Sequence, residues 1–127
     1  MTEIDATQFM TDIFGMWTEP DVDARRAVIQ SRFAEGVHFH DPDGESVGHA
    51  GLEAFSDSLQ SRFPGARFTL AGAPRTLSNS IRAFWHFGPP DNPHAVSGMD
   101  FVIWHGEKAS SLYAFVDDPS GGGQPPN

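Results

Sequence analysis

The chain contains no cysteine, which excludes a disulfide framework and a thiolate site of any kind. Basic residues are scarce: 8 Lys and Arg stand against 17 Asp and Glu, for a formal charge of -9. The resulting field repels phosphate backbones and anionic headgroups, so nucleic acid and membrane surfaces are not expected partners. No apolar run is long enough to span a bilayer. The opening MTEIDATQF is acidic and polar where a secretory signal requires a basic segment and then an apolar one. A cytoplasmic protein that meets small molecules is the expectation.

What is present suffices for one core. In 127 residues, 39% are hydrophobic and 12% aromatic, enough to bury a single interior but not two. One domain over 1–118 is expected, followed by a Gly/Pro-rich tail over 119–127 of flexible composition. There is no internal repeat.

Apolar spacing gives the elements. Phe9, Ile13, Met16 and Trp17 recur at helical intervals, and Asp5 with Gln8 matches a reciprocal N-terminal cap, predicting a helix over 6–17. TEPDVD interrupts it. Ala24, Ala27, Val28 and Ile29 then predict a second short helix that ends before Gly36. VHFHD alternates as a strand, and DPDGESVG is turn chemistry. Leu52, Phe55, Leu59 and Phe63 share one stripe of a third helix over 49–63, stopped by Pro64 and Gly65. Strands are predicted over 66–77, 80–87, 95–104 and 108–117. Three helices followed by antiparallel strands make an α+β domain, a strongly curved sheet closing as a half-open cone over its helical cover with a pocket inside.

Two carboxylates sit oddly in this pattern. In VHFHDPDG, alternation puts Val37, Phe39 and Asp41 on one face and His38 and His40 on the other. If the Val37 and Phe39 face is the core, Asp41 ends it facing the cavity, where lost hydration would raise its pKa and suit it to be a general base. The competing reading is an Asp that caps the DPDG turn. In AVSGMDFVIWH, Asp100 lies mid-strand among apolar neighbours. It is either a buried acid that stays protonated and donates a hydrogen bond, or a structural Asp paired with a base such as Arg82 on the adjacent strand.

These residues carry a resemblance. DPDG after a strand, GHAGLEAF opening a helix, RFPG closing it, and GMDFV followed by a short turn and KASSLYAFVD resemble the SnoaL-like branch of the nuclear-transport-factor-2-like superfamily, over 7–117. The resemblance implies a cystatin-like roll that forms a homodimer, and a range of activities: isomerase, polyketide cyclase, hydrolase, dehydratase or non-catalytic binding module. In ketosteroid isomerase, a member of that superfamily, the proton-abstracting Asp occupies an Asp-Pro-x-Gly turn, matching Asp41, and a second Asp in the oxyanion hole matches Asp100. SnoaL-type cyclases place an acid/base Asp on the same strand as Asp100. The isomerase's oxyanion-hole Tyr has no counterpart on the first helix, which offers Ile13, Phe14 and Trp17. His86, Tyr113 and Trp85 are the candidates to replace it.

Other motifs carry less. His38, His40 and Glu45 have spacings like a cupin metal motif, but a helix begins at Gly48 and no downstream histidine motif completes the site. DPDGE starts like a calcium loop, yet its glycine comes early and Leu52 stands where a bidentate Glu is needed. Gly121 to Gly123 precede no helix and make no phosphate cradle. No metal or cofactor is expected. Trp17, Phe33, Phe55, Leu59, Phe63, Trp85 and Phe87 come from elements that the architecture converges on its interior, and with His86 and Tyr113 they complete the expected binding set. Such a lining suits an apolar, carbonyl-bearing, polycyclic molecule. The expected activity is cofactor-independent acid/base catalysis by Asp41 and Asp100; the alternative is a binding or interaction module of the same fold. Met99, Phe101 and Ile103 point away from Asp100, with Phe84, Tyr113 and Phe115 beside them. An apolar outer sheet face of that size predicts a homodimer.

Overall fold

The computed structural model describes residues 5–117. The expected tail over 119–127, and the last residue of the expected domain, lie outside the described residues.

Helix α1 (Ala6–Trp17) buries Phe9, Met10, Ile13, Phe14, Met16 and Trp17 on one side. Its cap is one-sided. The Gln8 N–H donates to Asp5 Oδ1, but the Gln8 side chain donates forward to Asp12 Oδ1 at 2.7 Å instead of returning to the cap. Helix α2 (Val22–Arg32), capped by Asp21, buries only Arg25 and Ile29. It runs directly into β1 (Phe33–Asp41), longer than the five-residue VHFHD stretch. β2 (Gly44–Val47) follows, then α3 (His49–Arg62), which ends as predicted at the Phe63–Gly65 boundary. The remaining strands are β3 (Arg67–Leu70), β4 (Arg75–Leu77), β5 (Ser80–Gly88), β6 (Val96–His105) and β7 (Lys108–Val116).

The sheet order is β2-β1-β7-β6-β5-β3, with β4 also paired to β5. Every pairing is antiparallel except β1 with β7. The expected α+β architecture, three helices on a curved, mostly antiparallel sheet, is the one observed. Two details differ from the sequence reading. The strand expected over 66–77 breaks into β3 and β4, because Gly72 takes φ 82° and Pro74 has no N–H for the ladder. DPDGESVG is more than a turn, since its second half folds back as β2 with Asp41 opposite Gly44. Gly44 accommodates this with φ 149°.

The helices are tied by one buried cation. The Arg25 side chain is 4% exposed and reaches Glu53 at 3.4 Å and Asp57 at 3.1 Å on α3. It also donates to Ser56 Oγ at 3.2 Å, and Ser56 in turn donates to the Trp17 carbonyl at 2.8 Å. α1, α2 and α3 thus meet at one polar knot against which the apolar faces register. Arg26 pairs with the same Glu53 but from the surface, and that pairing holds its guanidinium pKa above the usual value.

The sheet has a distinct outer face. Successive strand pairings carry one row across it: Arg75, Arg82, Phe101, Tyr113, His40 and Glu45. The row starts with two guanidinium groups and ends with a carboxylate. The His40 and Tyr113 rings stack 4.4 Å apart at 2°, and His40 Nδ1 lies 3.4 Å from Glu45 Oε2. Phe84 (49% exposed) and Phe115 (54%) flank the row.

Arg25→Ala should lower unfolding stability in urea by about 2 kcal/mol, through lost stem packing and a lost buried hydrogen bond. Arg26→Ala should leave the denaturation midpoint unchanged. Equal effects would show that the buried knot does not organise the helices.

Candidate active site

The inner face of the sheet has a gap in its side-chain layer. Asp100 on β6 pairs with Ala83 on β5 and Ala114 on β7, and on the Ala114 side the small neighbour leaves the space beside it open to the cavity. Two pairs along, and so on the same face, Trp85 is opposite Gly98. A Cβ at residue 98 would overlap the Trp85 ring and the Phe115 carbonyl, so only glycine lets the indole lie across the strand. The ring therefore reaches diagonally toward Asp100, and Trp85 Nε1 donates to Asp100 Oδ1 at 2.9 Å.

Asp100 is 3% exposed. Among the described residues no cation accompanies it, and Arg82, considered from sequence as a partner, projects from the opposite face beside Phe101. Burial pushes the carboxyl up to about 7 from 3.8, against the smaller opposing effect of the indole donor, which favours the charged form. Oδ2 has no hydrogen-bond partner among the described residues and is left for the cavity. The side chain is poised between acid and conjugate base near neutral pH.

Asp41 lies at the C-terminal end of β1. The parallel pairing of His40 with Tyr113 brings the next position alongside Ala114, which is itself paired with Asp100. Asp41 and Asp100 are thus two strand spacings apart on one face, about 10 Å between backbones. Asp41 Oδ1 accepts from the Asp43 N–H at 2.6 Å. The turn-capping role considered from sequence is therefore present, and the same side chain also lines the cavity.

The cavity has a volume of about 620 Å³. Its interior is lined by Trp17, Phe39, Phe55, Leu59, Phe68, Trp85 and Phe87. Phe39 is the hub of an aromatic cluster, 5.0 Å from both the Trp17 and Phe55 rings. Phe68 packs 5.0 Å from Trp85 and 4.4 Å from Phe87. The opening is formed where the DPDG turn, the end of α3, the β5–β6 connection and the end of β7 meet.

Of the residues expected at the site, Asp41, Asp100, Trp17, Phe55, Leu59, Phe63, Trp85 and Phe87 line this cavity. Three do not. Phe33 is fully buried in the core at the opposite end of β1 from Asp41. His86 falls between Trp85 and Phe87, so alternation turns it outward, where its Nδ1 lies 3.1 Å from Ser97 Oγ and its ring stacks 3.9 Å from His94. Tyr113 falls between Leu112 and Ala114 and stacks on His40 on the outer face. Neither can take the place of the missing helix-one Tyr. Trp85, the third candidate, remains at the site but spends its N–H on Asp100. Sequence reasoning missed Phe39 and Phe68 as lining residues. For Phe39 the signal was there, because it shares the face of Asp41. It also missed Asp43, Arg62 and Asp117 at the opening, which surface-type residues in loops do not announce.

Among the described residues no three His, Asp or Glu side chains gather to hold a metal ion, and no helix is long and apolar enough to cross a membrane. His38 and His40 stack with ring centroids 6.4 Å apart on the outer face, away from the cavity.

No family model matches the chain, and no curated protein matches it. Solved structures do. A SnoaL-like family protein from Agrobacterium tumefaciens, named as a candidate isomerase, is 28% identical with a TM-score of 0.82, covering 89% of this chain and 97% of its own. A protein from Jannaschia sp. named as a candidate SnoaL-like polyketide cyclase is 15% identical with a TM-score of 0.70, covering 92% and 91%. A protein of unknown function and cystatin-like fold from Xanthomonas campestris is 14% identical with a TM-score of 0.72, covering 92% and 94%. The last two establish the fold, and the first extends the likeness to sequence along nearly the whole length. With its three helices, curved sheet and open cone, the chain is a member of the SnoaL-like, nuclear-transport-factor-2-like superfamily.

Proposed function

We propose that this protein is an acid/base enzyme, of the isomerase, cyclase or related lyase or hydrolase kind, that moves a proton on an apolar carbonyl compound. The observation that carries the proposal is Asp100. A carboxyl buried without a cation is costly, yet this one is placed at the wall of a cavity with one oxygen free. In its protonated form Oδ2–H donates to the substrate carbonyl oxygen and stabilises the charge that develops there when an adjacent C–H is broken. The Asp41 carboxylate, two strands away on the same face, takes that proton. The separation leaves room for a C–C=O unit between the two carboxyl groups. Trp85 fixes the rotamer of Asp100, and the aromatic wall excludes water and holds the apolar body of the substrate. No cofactor is needed in this scheme, since both proton-transferring groups belong to the chain.

A second reading, a binding module without chemistry, draws on one observation: Asp41 Oδ1 already serves the turn. The two separate on deuterium exchange. Incubated in deuterated buffer with a bicyclic ketone such as β-tetralone, the wild type should speed exchange of the α-protons, and Asp41→Asn and Asp100→Asn should each lower the rate by about a hundredfold or more. Exchange that is unaccelerated by the wild type, with the ketone demonstrably bound, would favour the binding module.

The raised Asp100 pKa also has a thermodynamic signature. Between 3.8 and about 7 the native state holds a proton that the unfolded chain releases, so rising pH favours unfolding through that window. Asp100→Asn carries no such proton. Relative to wild type, the variant should gain on the order of 4 kcal/mol between about pH 4 and about pH 7, and no more above it. A stability difference independent of pH would remove the basis for the proposed acid.

We also propose that the partner of the outer face is a second copy of the chain. The row from Arg75 and Arg82 to Glu45 has opposite charges at its two ends with Phe101 and Tyr113 between them. A two-fold axis parallel to the strands lays the arginine end of one copy over the glutamate end of the other and covers Phe84 and Phe115. Light scattering should give twice the chain mass. Phe101→Asp should yield monomer or insoluble protein, and Glu45→Arg should weaken a dimer that Glu45→Arg with Arg75→Glu restores. A soluble monomer in the wild type would refute the assignment.

A further inference from the structure

The cavity is apolar inside and acidic at its opening, and the two features define a ligand class. Asp41, Asp43 and Asp117 line the opening, and among the described residues the single base there is Arg62. Arg62 offsets one of these charges but forms no ion pair with any of them among the described residues. Its Nε donates to Ser58 Oγ at 3.1 Å, one turn back on α3, and its guanidinium lies over the Phe63 ring at 5.3 Å. Among the described residues neither Asp43 nor Asp117 forms an ion pair. The opening therefore carries a net negative charge on a chain whose formal charge is already -9, and an entering anion meets repulsion from both. Inside, aromatic faces present negative quadrupoles and Asp100 opens an unpartnered oxygen on the same space.

We infer that the ligand is a cationic amphiphile, a ring system of polycyclic size seated among the aromatic residues with a protonated amine held at the opening by Asp43 and Asp117. The inference rests on the reading of this cavity as the ligand site. It narrows the substrate of the proposed chemistry to amine-bearing carbonyl compounds. The two side chains are free for this role. Asp43 and Asp117 serve the fold through their backbone N–H groups, which donate to Asp41 Oδ1 and to the Ser97 carbonyl. Their side chains can be changed without touching those bonds.

A matched fluorescent set tests the inference without any turnover: pyrenylmethylamine, pyrenylmethanol and pyrenecarboxylate share one ring body and differ in charge. The full chain should bind the amine about tenfold or more tighter than the carboxylate at low ionic strength, with the alcohol between, and added salt should narrow the gap. Asp43→Asn with Asp117→Asn should close most of that gap while leaving the alcohol's affinity unchanged, which also shows that the cavity is intact. Equal or tighter binding of the carboxylate would overturn the inference and point to Arg62 as an anion reader. A gap that survives the double variant would overturn the assignment to Asp43 and Asp117. Because the readout is binding selectivity, loss of the deuterium-exchange activity would leave this result standing. Failure of the neutral alcohol to bind the wild type would instead remove the cavity as a ligand site.

Discussion

The structure turns on one hydrogen bond, from the Trp85 indole to Asp100, in a place where a carboxyl group would not otherwise be tolerated. An ionised carboxylate removed from water without a cation is strongly disfavoured, and a single neutral donor offsets only part of that penalty. The group answers by holding its proton to about pH 7. A buried acid that can still exchange its proton near neutrality is what acid/base chemistry requires, and it arises here from burial and one indole.

The surrounding sequence serves that contact. Gly98 clears the path for the indole, and Ala83 and Ala114 keep the sheet face low on either side of Asp100. A larger residue at Ala114 would fill the cavity from its floor, and any side chain at Gly98 would displace the indole. The curvature of the sheet then brings Phe39, Phe68 and Phe87 around the space, and α1 and α3 supply Trp17, Phe55 and Leu59 from above. The helices hold that position through the Arg25 knot, in which the Trp17 carbonyl is itself a member. The polar network of the helical layer and the aromatic wall of the cavity are thus joined at one residue.

Much of this was legible in the sequence for a physical reason. Period-two alternation holds in β5 from Ile81 to Phe87 and in β6 from Gly98 to Val102, so the inward direction of Trp85, Phe87 and Asp100 follows once one face is known, whereas a bulge at Ser110 breaks it in β7. The same rule, applied to His86 and Tyr113, places them outside, and including them in the site set aside that rule in favour of chemical type. Phe33 was misassigned for another reason: its aromatic character fits the core as well as a pocket, and only its location at the α2–β1 junction separates the two. The hairpin of β1 with β2 and the break between β3 and β4 depend on Gly44 and Gly72 adopting positive φ, a freedom that glycine permits but does not announce. Small residues are equally silent. Nothing about Ala83 or Ala114 in the sequence says that they flank a buried acid, because that relation exists only in the register between strands.

The most direct test of this account is the titration of Asp100 itself, followed through its side-chain carboxyl carbon by NMR, with Asp100→Asn used to assign the signal. The account predicts a single inflection close to 7, far above the ordinary value of 3.8, accompanied by a response of the Trp85 indole N–H resonance as the accepting oxygen gains charge. An inflection below about pH 4.5, with an indole signal indifferent to it, would show that Asp100 is an ordinary carboxylate and would contradict the central claim.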